Sequence, residues 1–282
     1  MRTGFRSLVL AALSAASMVG AVLVGAAPAN AIVGGQPVGI DQYPYQVSLQ
    51  VNRTHHCGGT ILNTTTIVTA AHCTAGIAPW KLFVRAGSTY EASGGQLVPV
   101  SSIVQHPSYD NRTLDYDVSV LKLGKPLTFD SRTQPTTPAA GFPPAGTPLT
   151  VTGWGATSEG GPSSAQLRAV DVQAIANNQC ERVFGATTIT DRMVCAGVAG
   201  GGKDSCQADS GGPLTDAGGA LVGIVSWGNG CARAGYPGVY TNVGSVAGFL
   251  TEHTARTAPA SAPAMPSATA PTGNGLPVQD HY

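Results

Sequence analysis

A mostly β architecture is predicted by three observations on this 282-residue chain. Thirty-seven glycines and twenty prolines punctuate it, which suits short strands joined by tight turns and not long helices. Apolar residues recur in short runs, several with a period of two, and no long helical pattern lies between them. Hydrophobic residues make up 43% of the sequence, enough for a packed core.

The first segment stands apart from the fold. Arg2 and Arg6 precede an apolar run over 8–24, and Ala29-Asn30-Ala31 follows, which is the three-part pattern of a secretory signal peptide spanning 1–31. A membrane anchor is the competing reading, but Ser14, Ser17, Gly20 and Pro28 interrupt a run barely long enough to cross a bilayer. Export implies an oxidising compartment, so the six cysteines read as three disulfides, with fifteen pairings open. Fifteen basic and fifteen acidic residues cancel, leaving no field to attract nucleic acid or an anionic membrane.

Tyr45, Val47, Leu49 and Val51 alternate with Gln46, Ser48 and Gln50, the period of a half-buried strand. Strand-like runs follow at 67–70, 82–85, 97–104 and 118–123. Six prolines between 124 and 148, with little periodicity, mark a connector. Beyond it, strands are expected at 149–152, 167–175, 193–196, 220–227 and 238–243, and a short helix over 177–183. Val243, Val246, Ala247 and Leu250 recur at helical spacing and suggest a short closing C-terminal helix. The stretch 256–282 is Pro, Ala, Ser and Thr, too poor in large apolar groups to bury anything, and is expected to be disordered.

Three motifs carry chemistry. Ser210 lies between an acid and two glycines in Asp-Ser-Cys-Gln-Ala-Asp-Ser-Gly-Gly-Pro, where small neighbours leave its hydroxyl accessible. A serine needs a base to take its proton, and the base needs an orienting carboxylate. His72 in Thr-Ala-Ala-His-Cys and Asp117, just before the run Val118-Ser119-Val120-Leu121, supply both; Asp115 is the nearby rival acid. His72 beside Cys73, with His55 and His56 before Cys57, raises a zinc site, but cysteine pairs two to four residues apart are lacking. Neither a metal nor a cofactor is expected.

In their order His, Asp, Ser, these motifs closely resemble those of the trypsin-like serine proteases of the chymotrypsin family, over about residues 32–255. The resemblance implies two antiparallel β-barrels packed face to face, about 32–135 and 136–255, with the site in the cleft between them. It implies a secreted, monomeric serine endopeptidase working through an acyl-enzyme, with His72, Asp117 and Ser210 catalytic. The N–H groups of Ala208 and Ser210 would form the oxyanion hole. The family nearly always has glycine where Ala208 stands, so its Cβ puts the hole in question.

Asp204 would sit at the base of the substrate pocket and select Arg or Lys, with Ser205, Gln207, Ser226, Trp227, Gly228 and Gly238 around the substrate. Ile32, as a new N-terminus, would pair with Asp209 as an activation switch. Ala31, not Lys or Arg, directly precedes Ile32, so signal peptidase itself is expected to expose it. Bridges between Cys57 and Cys73, Cys180 and Cys195, and Cys206 and Cys231 are implied in the same way.

The region 88–96, matching the calcium loop of vertebrate relatives, has Glu91 as its one acid, so no calcium site of that kind is expected. Expected partners are proteins or peptides carrying Arg or Lys, and protein protease inhibitors. Two alternatives stay open: a binding protein on an impaired protease scaffold, because of Ala208, and a protease of narrower specificity.

Overall fold

The structure, a computed structural model, describes Met1 and residues 32–255. The remainder of the expected signal peptide and the 256–282 tail lie outside the described residues.

A short strand β1 (Gln36–Pro37) precedes the first barrel, which comprises β2 (Gln46–Val51), β3 (Thr54–Asn63), β4 (Thr66–Thr69), β5 (Leu82–Ala86), β6 (Gln96–Gln105) and β7 (Ser119–Leu123). These pair antiparallel in the order β2-β3-β4-β7-β6-β5, and β5 returns to β2 to close the ring. No strand interrupts the connector. The second half contains β8 (Pro148–Gly153), β9 (Arg168–Ile175), helix α1 (Asn177–Phe184), β10 (Met193–Gly197), β11 (Pro213–Thr215), β12 (Leu221–Trp227) and β13 (Gly238–Asn242). Pairing of β8 with β9 closes six of these strands, and β1 is added to β9 outside the ring. The chain finishes with a 3-10 turn over Val243–Val246 running into helix α2 (Ala247–Thr254), the expected closing helix.

The two barrels meet face to face. Leu221 and Ile224 of β12, with Phe249 and Leu250 of α2, join the apolar cluster built from Val47, Leu49, Val84 and Leu121 of the first barrel. Burying each such side chain contributes about 1.5–3 kcal/mol. All three expected disulfides are present: Cys57–Cys73, Cys180–Cys195 and Cys206–Cys231.

One expectation is corrected. The alternation in β2 does not give a solvent-facing side, because Gln46, Ser48 and Gln50 are each fully buried. Gln46 faces β8 of the second barrel, while Ser48 and Gln50 are covered by His55 of β3 and the 88–96 loop. An unbonded buried polar group costs about 1–3 kcal/mol, so each needs a partner. Gln46 Oε1 accepts from Thr152 Oγ1 of β8 at 2.6 Å, and Gln50 Nε2 donates to the Glu91 carbonyl at 2.6 Å. The period of two was right about the strand; it could not reveal that a second layer covers its polar face.

Candidate active site

His72 follows β4 and is held by Asp117, which precedes β7. The His72 main-chain N–H donates to Asp117 Oδ1 at 2.9 Å, and its Nδ1 lies 2.7 Å from Oδ2. An ionised carboxylate only accepts, so Nδ1 carries the proton and Nε2 the lone pair, 3.7 Å from Cys73 Sγ. Asp117 is 1% exposed, and its charge is met by a further donor, the Ser226 hydroxyl at 2.6 Å from Oδ2. Thr241 Oγ1 donates to the Asp117 carbonyl at 2.8 Å, tying the acid to the second barrel. Asp115, the rival acid, is engaged elsewhere: Arg192 binds it through Nε at 3.1 Å and Nη2 at 2.6 Å, and Thr190 Oγ1 donates at 2.8 Å.

Ser210 is placed by its main chain. Gly58 N–H of β3 donates to the Ser210 carbonyl at 2.8 Å, and Gly211 N–H donates to Val225 of β12 at 2.8 Å. The glycines are required by close approach. A Cβ on Gly211, whose φ is +77°, would fall 2.1 Å from Thr69 Oγ1 and 3.0 Å from the Ala70 nitrogen. A Cβ on Gly58 would fall 2.7 Å from the Gly212 Cα. The serine turn is thereby pressed against the end of β4 that leads into His72. The Ser210 hydroxyl itself has no hydrogen-bond partner among the described residues.

Below Ser210 opens a cavity of about 240 Å³ lined by Asp204, Ser205, Gln207, Ser226, Trp227, Gly228 and Gly238 among others. Asp204, one of these lining residues, is 3% exposed. Its Oδ1 accepts from Ser205 N–H at 2.8 Å and its Oδ2 from Ala232 N–H at 3.1 Å, yet burial pushes its pKa up to about 6. A Cβ on Gly238 would lie 2.6 Å from Asp204 Oδ1, so this wall must be bare for the carboxylate to face the cavity. Trp227 lines the cavity and also packs its ring edge-on against Phe184, with centroids 5.0 Å apart. Gln207 Oε1 turns to the Gly160 N–H at 3.2 Å, joining the pocket mouth to the 156–163 loop.

The neighbouring loop is pinned on both sides of Ala208. The Gln207 carbonyl accepts from Ala156 N–H at 2.7 Å, and the Ala208 carbonyl accepts from His55 Nε2 at 3.1 Å. The N–H groups of Ala208 and Ser210 have no acceptor among the described residues. Ala208 has φ +71°, in the left-handed region where an alanine costs about 1–2 kcal/mol. Its methyl has therefore not forced the backbone to negative φ. Ala208→Gly is expected to relieve this strain; offset by the entropy of glycine in the unfolded chain, the net gain is up to about 1 kcal/mol. Chemical denaturation of both proteins measures it, and a destabilised glycine variant would contradict it.

Asp209 is fully buried, and accepts from Gly155 N–H at 2.7 Å and Cys206 N–H at 2.9 Å. Burial raises its pKa to about 7, with the Asp204 charge adding to the rise. Ile32 is also fully buried nearby: a Cβ on Gly153 would touch both Asp209 Oδ1 at 2.1 Å and Ile32 Cδ1 at 3.5 Å. The next residue braces the pocket, since Asp204 N–H donates to the Val33 carbonyl at 3.2 Å.

Cys57, His72 and Cys73 come within 4.8 Å of one another, but both sulfurs belong to one disulfide and offer no thiolate to a metal. Two contributions escaped sequence reasoning: the Ser226 hydroxyl as a second donor to Asp117, and His55 behind Ala208. In the sequence, Ser226 stands out only as part of the strand beside the substrate, and His55 only as a zinc ligand that the cysteine spacing argues against.

A family model described as Trypsin matches residues 32–250. The chain is 47% identical over 227 residues to Trypsin 5G1 of Aedes aegypti, covering 78% of this chain and 84% of that protein. It is 45% identical over 217 residues to Trypsin alpha-4 of Lucilia cuprina, covering 76% and 84%. Trypsin delta of Drosophila erecta is 43% identical over 225 residues, covering 79% and 88%.

Proposed function

The chain belongs to the trypsin family of serine endopeptidases, and on that premise we propose that it cleaves peptide bonds after Arg or Lys through an acyl-enzyme. Ser210 Oγ attacks the scissile carbonyl carbon while His72 Nε2 takes its proton. The oxyanion forms against the N–H groups of Ala208 and Ser210. His72 then gives the proton to the departing amine, Asp117 offsets the imidazolium charge, and water releases the acyl group by the same relay.

The observation that carries the specificity is a buried carboxylate, Asp204, lining the same cavity as Ser210. Such a group is costly until a cation arrives, so it rewards guanidinium or ammonium and penalises apolar side chains. The test is hydrolysis of small Arg, Lys and Phe amides by the purified protein. Cleavage of the Phe amide alone overturns the assignment of Asp204, and cleavage of none favours a binding protein. Ala208 does not favour that alternative, since its N–H stays unpaired in a glycine-like conformation. The same reading makes the protein a secreted monomer open to protein inhibitors that present Arg or Lys, with no nucleic-acid or membrane partner. No helix among the described residues is long and apolar enough to cross a membrane.

Ile32 and Asp209 act as the activation pair in this proposal, with signal peptidase exposing the Ile32 ammonium directly. N-terminal sequencing of the secreted protein tests the cleavage point, and a start before Ile32 refutes it. The pair also has a stability signature. With Ile32 still joined to the preceding residue, Asp209 holds its proton more tightly when folded (about 7) than its ordinary 3.8. Between those values the folded state binds the extra proton, so stability falls as pH rises through the window, by about 4 kcal/mol when complete. An ammonium beside the carboxylate reverses the sign of that preference. Denaturation of the Ser210→Ala protein, with and without the leader, is expected to show this fall only with the leader attached; a flat profile there contradicts it.

A further inference from the structure

We propose that Arg192 is a positioning residue for the triad carboxylate: reaching across from the second barrel, it binds Asp115 and lies over the Tyr116 ring, and so holds Tyr116 in the left-handed conformation from which Asp117 meets His72. This rests on the serine-protease reading of the site above. Tyr116 has φ +53°, a region that bulky side chains avoid, and Leu114, two residues earlier, has φ +56°. The conformation at Tyr116 bears directly on the acid. Its carbonyl accepts from Val118 N–H at 2.7 Å, closing a three-residue turn with Asp117 at its centre. Relaxation of Tyr116 to negative φ would break that turn and carry Asp117 with it, moving a carboxylate whose Oδ2 lies 2.7 Å from His72 Nδ1.

Side chains from both barrels hold the tyrosine. Its N–H donates to Asp115 Oδ1 at 3.1 Å, and its ring stacks on His106, just after β6, with centroids 4.3 Å apart and planes at 16°. Phe249 of α2 backs His106 in turn, with centroids 4.8 Å apart. The Arg192 guanidinium lies over the same tyrosine ring, 4.9 Å from its centre. Its Nε and Nη2 donate to the two oxygens of Asp115 at 3.1 and 2.6 Å, so one cation fixes both the ring and the carboxylate that receives the Tyr116 N–H. With 25% and 19% of their side chains exposed, Arg192 and Asp115 are screened less than a surface pair. Arg192 is itself anchored just before β10, where its carbonyl accepts from Asn242 N–H at 2.8 Å, next to the Thr241 that holds the Asp117 carbonyl.

The test is a double-mutant cycle between positions 192 and 116. It is read by kcat and KM on an Arg amide, per active site counted with a slowly deacylating Arg ester. Arg192→Met keeps an unbranched stem and removes the guanidinium. It is expected to lower kcat per site by about tenfold with KM little changed, a fraction of the roughly 10⁴-fold that follows loss of the acid's function. In the Tyr116→Asn background the same change is expected to lower kcat by no more than about twofold, because asparagine enters the left-handed region readily. A merely structural role would lower the melting temperature and the number of titratable sites and leave kcat per site unchanged. That result overturns the proposal, as do equal kcat losses in the two backgrounds or a loss confined to KM. If Arg192→Met does not fold, Arg192→Lys, which keeps the charge without the two-pronged grip, makes the same comparison, with a smaller loss expected in the tyrosine background only. An unsubstituted protein that cleaves no Arg or Lys amide sinks the functional reading itself, and is recognised before any variant is made.

Discussion

Ser210→Ala is expected to lower kcat on Arg and Lys amides by on the order of 10⁶, the scale on which a catalytic triad depends on its nucleophile. The substitution removes one oxygen that has no hydrogen-bond partner among the described residues. It leaves in place the main-chain bonds from Gly58 to Ser210 and from Gly211 to Val225. The fold and the capture of basic ligands are therefore expected to survive, so that kcat collapses while ligand affinity does not. Mass spectrometry with a slowly deacylating Arg ester gives the complementary result, an acyl adduct on the native protein and none on the variant. Retention of more than about one part in a hundred of the activity would place the nucleophile elsewhere.

Asp204→Ser is expected to lower kcat/KM for Arg and Lys amides by on the order of 10³, since removing one partner of a buried charge pair costs about 2–5 kcal/mol or more. Phe amides should gain relative to them, because the cavity keeps its volume and loses its unpaired charge. A pH signature accompanies the change. The native carboxyl titrates at about 6, so protons compete with the substrate cation and KM for the Arg amide rises as pH falls below that value. The variant lacks this limb. A native KM that stays constant down to pH 5 would argue that Asp204 does not meet the substrate charge.

The parts of the fold legible in the sequence are those with side-chain periodicity. Ten expected strands appear within a residue or two of their places, and so does α1. By contrast β3 (Thr54–Asn63) gave no signal, because Gly58 and Gly59 erase the alternation at its centre. Those glycines exist for packing: Gly59 lies against Ile67 and Val47, and Gly58 against Gly212. At two and three residues, β1 and β11 are too short to carry a period. The site divided in the same way. His72, Asp117, Asp204 and Ser210 stand in motifs, whereas the donation from Ser226 to Asp117 and from His55 to Ala208 depends on pairs 109 and 153 residues apart, which no local pattern encodes. The burial of the polar side of β2 was hidden for a related reason, since Glu91 and Thr152, which meet Gln50 and Gln46, lie 41 and 106 residues away.

Where Gly58 meets Gly212, peptide touches peptide with no side chain between them. The width of the cleft is consequently dictated by covalent geometry, which no rotamer can adjust. Surface loops can drift or repack without altering it, yet one added methyl would wedge the halves apart and unseat Ser210 with them.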